Sequence, residues 1–190
     1  MLENLVKANR SFRSFRPETP ISKETLLEFV ELTRFTPSSV NLQPLKYKIC
    51  VDHEECALIA DNVKYAKALK GITLPPKGHE PSAYILIFLD KSISENLLTF
   101  RRDIGIVAQT IMLAAVEKGL GGCMIGNFNS DGICPSLGIP VQYSLQLVIA
   151  LGHPDEEIIL EDAVDGNVLY YRDENSVHHV PKRPLDEILL

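Results

Sequence analysis

Arginine and serine side chains are concentrated near the start of the chain, where residues 9–15 read NRSFRSF. Arg10, Ser11 and Arg13 lie within four residues of one another, and Arg16 follows closely. Arginine presents a planar fork of N–H donors that binds phosphate or carboxylate oxygens through paired hydrogen bonds. The segment is therefore a candidate site for an anionic ligand. The alternative is a solvated basic surface, which is the commoner state of a short basic cluster.

A second polar segment lies farther along the chain, where residues 37–44 read PSSVNLQP. It contains the hydroxyl and amide side chains of Ser38, Ser39, Asn41 and Gln43. These groups donate and accept hydrogen bonds, so they suit the polar edge of a ring-shaped ligand. Serine and asparagine also stabilise turns through bonds to their own backbone. The residues alone leave both interpretations open.

A third cluster, Lys182 and Arg183, precedes the last few residues of the sequence. Together with Arg10 and Arg13 it would supply the positive charge that a phosphate group needs. Taken singly, each basic cluster is more typical of a solvated face.

The whole-chain charge makes these clusters local exceptions. The chain has 190 residues, of which 25 are acidic and 19 basic, for a formal net charge of −6. Nucleic acids and anionic membranes require a positive footprint, so neither is an expected partner. The apolar runs are too short to span a membrane, and no signal peptide is visible, so we expect a cytoplasmic protein. The four cysteines are expected to be free thiols, and the His178–His179 pair gives little support for a metal site.

The hydrophobic pattern predicts the elements that position the polar segments. Leu2, Leu5 and Val6 recur at helical spacing and predict a short opening helix. Ser22 is a candidate N-cap for the next helix, which Pro37 stops. The remaining predictions are a strand at 46–51, a helix at 53–69, a strand at 83–90 buried on both faces, a helix at about 96–118, strands at 121–128 and 144–152, an extended arm with weak strands at 156–180 and a short final helix at 183–190.

This mixed order of elements, without strict βαβ alternation, predicts a single α+β domain over residues 1–190 with helices around one mixed sheet. Gly105, Ala108, Ala114 and Ala115 give the long helix small side chains, which suit either a subunit interface or an ordinary core helix. The glycine-rich stretch at 119–126 follows a helix and enters a strand. A phosphate loop has the reverse order, so a classical dinucleotide-binding domain is not expected.

The polar segments occur in an order that resembles the nitroreductase family of FMN flavoproteins. The resemblance rests on RSFRSF, then PSSVNLQP, the helix GIVAQTIMLAAVEKGLGG and the terminal VPKRPLDEI, and it extends over nearly the whole chain. It implies a three-layer α+β sandwich with a mixed, mostly antiparallel sheet flanked by helices. It also implies an intertwined homodimer with FMN at the interface, in which the arm at 156–190 is exchanged between subunits.

The resemblance also implies roles for individual residues. Arg10 and Ser11 would bind the phosphate and ribityl region of FMN, and Arg13 would lie near the N1 and O2 edge of the flavin ring. The other implied cofactor contacts are Pro37, Ser38, Ser39, Asn41 and Gln43 on the partner's FMN, Gly126 and Asn127 near flavin N5, and Lys182 and Arg183 on the phosphate. Lys64, Lys67 and Lys70 are further candidates, although the mid-chain contacts cannot be matched residue by residue.

The implied activity is hydride transfer from NADH or NADPH to flavin N5, and then to a nitroaromatic, quinone or similar small-molecule acceptor. No catalytic side chain is required, since the flavin carries the chemistry. Two alternatives keep the scaffold: another flavin reaction, such as reductive dehalogenation or flavin fragmentation, and a non-catalytic FMN-binding protein. A phosphate-ligand module unrelated to flavin is a third alternative.

Overall fold

The computed structural model describes residues 1–66, 69 and 71–190. Within them the chain forms an α+β sandwich, as expected. The helices are α1 (Leu2–Ala8), α2 (Lys23–Thr33), α3 (His53–Asp61), α4 (Leu97–Glu117), α5 (Ser130–Ile133) and α6 (Leu185–Ile188). The strands are β1 (Leu45–Cys50), β2 (Ala83–Asp90), β3 (Gly121–Ile125), β4 (Tyr143–Gly152), β5 (Ile158–Asp162), β6 (Tyr171–Arg172) and β7 (His178–Lys182). None of the described helices is both long and apolar enough to cross a membrane.

The strands divide between two sheets, whereas the sequence suggested one. The central sheet has the order β1-β2-β4-β3 and is antiparallel throughout. The smaller sheet has the order β5-β7-β6, and its β5–β7 pair is the parallel one. The polar arm therefore folds into a sheet of its own, because its strands pair with one another over short sequence distances.

The central sheet has a hydrophobic core on each face, which explains the continuous apolar run of β2. All eight residues of β2 are buried, as predicted. Ala83, Ile85 and Ile87 pack on one face against helices α2 and α4. Tyr84 and Leu86 pack on the other face, against Ile59 of α3 and Ile133 of α5. Helices thus cover both faces, and the fold has three layers.

The helix boundaries follow the predicted signals at α2 and α4. The Ser22 hydroxyl accepts a hydrogen bond from the Thr25 N–H at 3.1 Å, which caps α2. After the C-terminal end of α4, Gly119 has a φ of +74°, in the left-handed region that glycine tolerates. Leu120 N–H then donates to the Ala115 carbonyl at 2.9 Å and closes the helix.

The predicted helix at 53–69, of which residues 67 and 68 lie outside the described chain, and the predicted strand at 121–128 both extend past the observed elements. One contact explains both errors. Helix α3 ends at Asp61, where the Asn62 amide donates to the Leu58 carbonyl at 2.9 Å. Val63 then bridges to Phe128, so the two segments leave their elements to pair with each other. Here a long-range pairing overrides local helical and strand propensity. The final helix is likewise shorter than predicted, at Leu185–Ile188.

Candidate functional site

A cavity of about 360 Å³ lies where three parts of the chain meet: the N-terminal segment (residues 9–15), helix α4 and the small sheet formed by β5, β7 and β6. Its polar walls carry three cations and no acidic side chain among the described residues that line it. The lining comprises Asn9, Arg10, Ser11, Arg13, Gln109, Met112, Met124, Ile158, Tyr170, His178, Val180 and Lys182. We call this space the cationic cavity. It brings together four of the residues that the sequence indicated: Arg10, Ser11, Arg13 and Lys182.

Two phenylalanines anchor the N-terminal segment so that its arginines reach the cavity. Ser11 forms a parallel bridge to Gly122 at the edge of β3, and the Phe12 N–H donates to the Gly122 carbonyl at 2.9 Å. A Cβ on Gly121 would lie 2.4 Å from the Phe12 ring, and one on Gly152 would lie 2.6 Å from the buried Phe15 ring. The phenylalanines therefore need these glycines in order to pack.

The Arg13 guanidinium is bonded through Nη1, whereas its Nε has no hydrogen-bond partner among the described residues. Its Nη1 donates to the Ser11 carbonyl at 3.1 Å and lies 3.4 Å from Nε2 of His178. Its Nε is buried without a hydrogen-bond partner. The guanidinium carbon also lies 5.7 Å from the centre of the Tyr170 ring, within cation–π range. The Nε edge of this guanidinium thus still requires an acceptor.

Arg10 shows the same incomplete pairing. Its Nη2 donates to the Val6 carbonyl at the end of α1 at 2.8 Å, while its Nε is buried without a partner. Burial lowers the pKa of Arg10 from its ordinary value, although arginine still stays charged at neutral pH. An anion in the cavity would satisfy both the charge and the free N–H.

A buried carboxylate joins the small sheet to the N-terminal segment. Glu156 accepts hydrogen bonds from the Arg13 backbone N–H and from Arg172, and its side chain is almost fully buried. Asp155 N–H also donates to the Ser14 carbonyl at 3.0 Å. These contacts fix the small sheet against its own chain. The exchange of the arm at 156–190 between subunits stays a prediction.

The two C-terminal basic residues have different positions. Lys182, the last residue of β7, lines the cationic cavity. Arg183 is absent from the lining, and its Nη1 donates to Glu187 of helix α6 at 2.8 Å. Lys182 is therefore placed to act on a ligand in the cavity, whereas the Arg183 guanidinium is paired with a neighbouring carboxylate.

The serine segment at 37–44, which we call the serine turn, surrounds a buried aspartate. Asp103 of α4 is only 3% exposed. It accepts hydrogen bonds from the Ser38 hydroxyl at 2.8 Å, the Ser39 hydroxyl at 2.7 Å and the Ser39 N–H at 2.9 Å. Burial acts to raise the pKa of Asp103, but the bonds from Ser39 and Ser38 outweigh it and hold this pKa below its usual value.

The rest of the serine turn faces outward in a strained backbone conformation. Val40, Asn41 and Gln43 all have positive φ, although none is glycine, and all three are exposed. Such conformations cost about 1–3 kcal/mol each and persist where the surrounding structure fixes them. The Gln43 amide donates to the Asn41 side-chain oxygen at 3.0 Å. Pro37 and Ser38 line a separate pocket of about 140 Å³ beside Asp103.

The remaining predicted contacts lie away from the cationic cavity. Gly126 and Asn127 follow β3 and are exposed, and the Asn127 carbonyl accepts a hydrogen bond from the Lys64 N–H at 2.9 Å. Lys67 and Lys70 lie outside the described residues. Among the described residues, no group of three or more His, Cys, Asp and Glu side chains is arranged to hold a metal ion, and the four cysteines are free thiols.

Sequence reasoning missed Asp103 and did not assign His178 to the cavity. Asp103 had a detectable signal, since it interrupts the apolar face that Phe100, Ile104 and Val107 form on the predicted long helix. An acidic residue at such a position requires a hydrogen-bonding partner. His178 had no comparable signal, because its partner Arg13 is 165 residues away in the sequence.

The cavity suits an organic ligand with an anionic group. Three cations and two unpaired guanidinium N–H groups fit phosphate oxygens and an electron-rich ring edge, and Met112, Met124, Ile158 and Val180 provide apolar contact. The protein is therefore an α+β sandwich with a cavity lined by three basic side chains. The model of the Nitroreductase family matches residues 6–153, well over half of the chain. The protein belongs to the nitroreductase family.

Individual relatives are distant in sequence but similar along most of their length. The NADPH-flavin oxidoreductase of Vibrio harveyi is 26% identical over 174 residues, covering 89% of this chain and 72% of that protein. A Desulfovibrio desulfuricans protein assigned as a nitroreductase and solved in complex with FMN has a TM-score of 0.72 at 24% identity, covering 100% of this chain and 95% of that one. An FMN-dependent nitroreductase of Clostridium difficile has a TM-score of 0.66 at 23% identity, covering 87% and 92%. These structures establish the shared fold.

Proposed function

We propose that this protein is an FMN-dependent oxidoreductase that takes a hydride from NADH or NADPH and passes it to a small-molecule acceptor. Nitroaromatics and quinones are the proposed acceptor classes. The observation that carries the proposal is the convergence of Arg10, Arg13 and Lys182 on one cavity, with two guanidinium N–H groups unpaired. Family membership and the names of the relatives, one of them solved with FMN and one an NADPH-flavin oxidoreductase, support the same function.

In this proposal the chain binds and tunes the cofactor. When bound, FMN would supply the hydride-accepting centre. Arg10 and Lys182 would hold its phosphate, and the free Nε edge of Arg13 would bind the electron-rich edge of the ring. A guanidinium there favours negative charge on that edge, which promotes reduction. The methionines Met112 and Met124 would give the ring an apolar, polarisable surface.

The serine turn would act on the cofactor of a second subunit. Ser38 and Ser39 donate their hydroxyl protons to Asp103, so their free lone pairs can only accept hydrogen bonds from a ligand. Ribityl hydroxyls and the ring N3–H are donors of the required kind. Pro37, Asn41 and Gln43 belong to the same proposed contact, and Gly126 and Asn127 are proposed to lie near flavin N5.

A homodimer is part of the proposal, because α4 and the elements that pack on it expose apolar side chains. They lie on α4 and on three elements that each pack against it: Leu98 and Ile106 on α4, Leu2 and Val6 on α1, Leu27 and Leu32 on α2, and Val40 and Leu42 on the serine turn. Exposed apolar surface is a feature of protein interaction sites. A second copy placed there would bring its serine turn toward this interface.

The proposal is tested by titrating the purified protein with FMN and then adding NADH or NADPH without oxygen. We expect quenching of flavin fluorescence on binding, and loss of the oxidised flavin absorption on reduction. Replacing Lys182 by alanine should weaken FMN binding by about ten- to a hundredfold, the effect of losing a charged hydrogen bond. Arg183→Ala is the matched variant and should weaken it less, because Arg183 pairs with Glu187.

Three other results would overturn all or part of this proposal. A chain that binds no FMN refutes it, and leaves a different phosphate ligand as the candidate for the cavity. Tight FMN binding without oxidation of NADH or NADPH in the presence of any acceptor would make the protein a non-catalytic flavin carrier. Dehalogenated substrate, or fragmented flavin formed under air, would place other flavin chemistry on the scaffold.

A further inference from the structure

Two adjacent histidines on β7 have opposite surroundings. His178 points inward and is only 2% exposed, lining the cationic cavity. His179 points to the other face, where its Nδ1 lies 3.1 Å from Glu161 and its ring stacks on Tyr171 at 4.7 Å. The ion-pair environment raises the pKa of His179 through its bond to Glu161. Alternate residues of a strand face opposite sides, so this difference follows from the register of β7.

His178 is neutral in the folded protein. Burial, followed by the positive charges of Arg13 and Arg172, lowers its pKa to about 4. A neutral imidazole carries a lone pair on one ring nitrogen. Because Arg13 Nη1 can only donate, the tautomer that pairs with it has the lone pair on Nε2 and the proton on Nδ1, which is buried without a hydrogen-bond partner among the described residues. The Tyr170 ring meets the imidazole edge-on at 5.4 Å and limits its rotation.

The contact with His178 completes the bonding of Arg13 Nη1 and leaves the Nε–Nη2 edge without a partner in the described part of the chain. Nη1 carries two protons, and the Ser11 carbonyl and His178 Nε2 provide an acceptor for each. The guanidinium is then fully bonded at Nη1, while the pair Nε and Nη2 makes no hydrogen bond within the described part of the chain. That pair is one of the two-donor edges with which arginine binds planar acceptors.

We infer that His178 is a positioning residue of the cofactor site, which acts by holding the Arg13 guanidinium so that its Nε–Nη2 edge faces the cofactor. This inference rests on the proposed function and adds to it a residue outside the segments that indicated the family. It requires an acceptor at position 178 and contact with Arg13. It does not require a charge or proton transfer at His178.

The test compares FMN affinity, measured by fluorescence quenching, in two variants of His178. One keeps an aromatic ring but removes the hydrogen-bond acceptor, and the other keeps an acceptor but removes the ring. His178→Phe keeps a ring beside Tyr170 but has no acceptor, and should weaken binding about tenfold or more. His178→Gln retains an acceptor oxygen and should restore affinity to within about threefold. His179→Gln, on the opposite face of β7, is the matched control and should bind FMN like the wild type.

A double-mutant cycle with Arg13→Ala tests whether His178 acts through Arg13. In the Arg13→Ala background, His178→Phe should have no further effect on FMN affinity. A full tenfold loss in that background would overturn the inference, because His178 would then act independently of Arg13. Equal weakening by Phe and Gln would also overturn it, because the shape of the ring, and not the acceptor, would then be the cause. If the Phe variant does not fold, His178→Leu, which also lacks an acceptor, takes its place in the cycle.

The outcomes also separate this inference from the proposed function. Wild-type protein that leaves FMN fluorescence unchanged refutes the function and the inference together. Normal wild-type binding combined with normal binding by His178→Phe refutes the inference alone. A second readout is the rate of flavin reduction at saturating FMN, which should fall in His178→Phe and recover in His178→Gln.

Discussion

In the cationic cavity, the Arg13 backbone N–H donates to Glu156 and the Arg13 guanidinium lies beside His178. Arg10, Ser11, Arg13 and Lys182 were recognisable because clustered arginine, serine and lysine are unusual in an acidic chain. The partners of Arg13 were not recognisable, since Glu156 and His178 lie more than 140 residues farther along the chain. A side chain's chemistry can be read from sequence, whereas its hydrogen-bond partner depends on the tertiary fold.

Asp103 gives a prediction at the scale of one residue. Replacing it by alanine leaves two serine hydroxyls and the Ser39 N–H without their buried acceptor. We expect the free energy of unfolding to fall by about 2–4 kcal/mol, measured by urea denaturation at a fixed protein concentration. Asp103→Asn, which keeps one acceptor oxygen, should lose less. Ala and Asn variants as stable as the wild type would show that the serine turn does not depend on this bond.

At the scale of elements, local signals predicted most helices and strands, and long-range pairing caused the errors. The Ser22 cap, the Gly119 termination and the buried run of β2 all depend on neighbouring residues in the sequence, and all three hold. The ends of α3 and β3 depend on the bridge between Val63 and Phe128, which no local pattern reveals. The division into two sheets has the same origin, because strand pairing is a property of the fold.

Gly122 gives a prediction at this scale, because it joins the N-terminal segment to the central sheet. A Cβ at this position would lie 2.3 Å from the Ala150 carbonyl oxygen, a backbone atom that cannot move aside. Gly122→Ala should therefore lower the free energy of unfolding by about 1–3 kcal/mol. Gly126→Ala is the control: a Cβ there meets nothing within 4 Å, and its effect should stay within about 0.5 kcal/mol. Equal stability of the two variants would mean that β3 shifts to accommodate the methyl group.

At the scale of the whole molecule, the proposed site is complete only when two copies associate. The cationic cavity and the serine turn of one chain are separate features, with Arg13 lining the first and Asp103 supporting the second. The exposed apolar residues of α1, α2, α4 and the serine turn give a reason for two chains to meet. Gly105 on α4 has open space around it, which a second backbone can occupy.

Ile106 tests this assembly directly. It is an apolar residue on α4 that is 38% exposed in the single chain, one position from Gly105. A glutamate there would have to lose its hydration on association, so Ile106→Glu should convert the dimer to a monomer in size-exclusion chromatography with light scattering. The same variant should lose FMN affinity, because the partner's serine turn is withdrawn. Val141→Glu is the control, since Val141 is 89% exposed in the loop before β4 and should tolerate the charge in the dimer. A wild-type monomer, or an Ile106→Glu dimer with normal FMN binding, would contradict an interface built on α4.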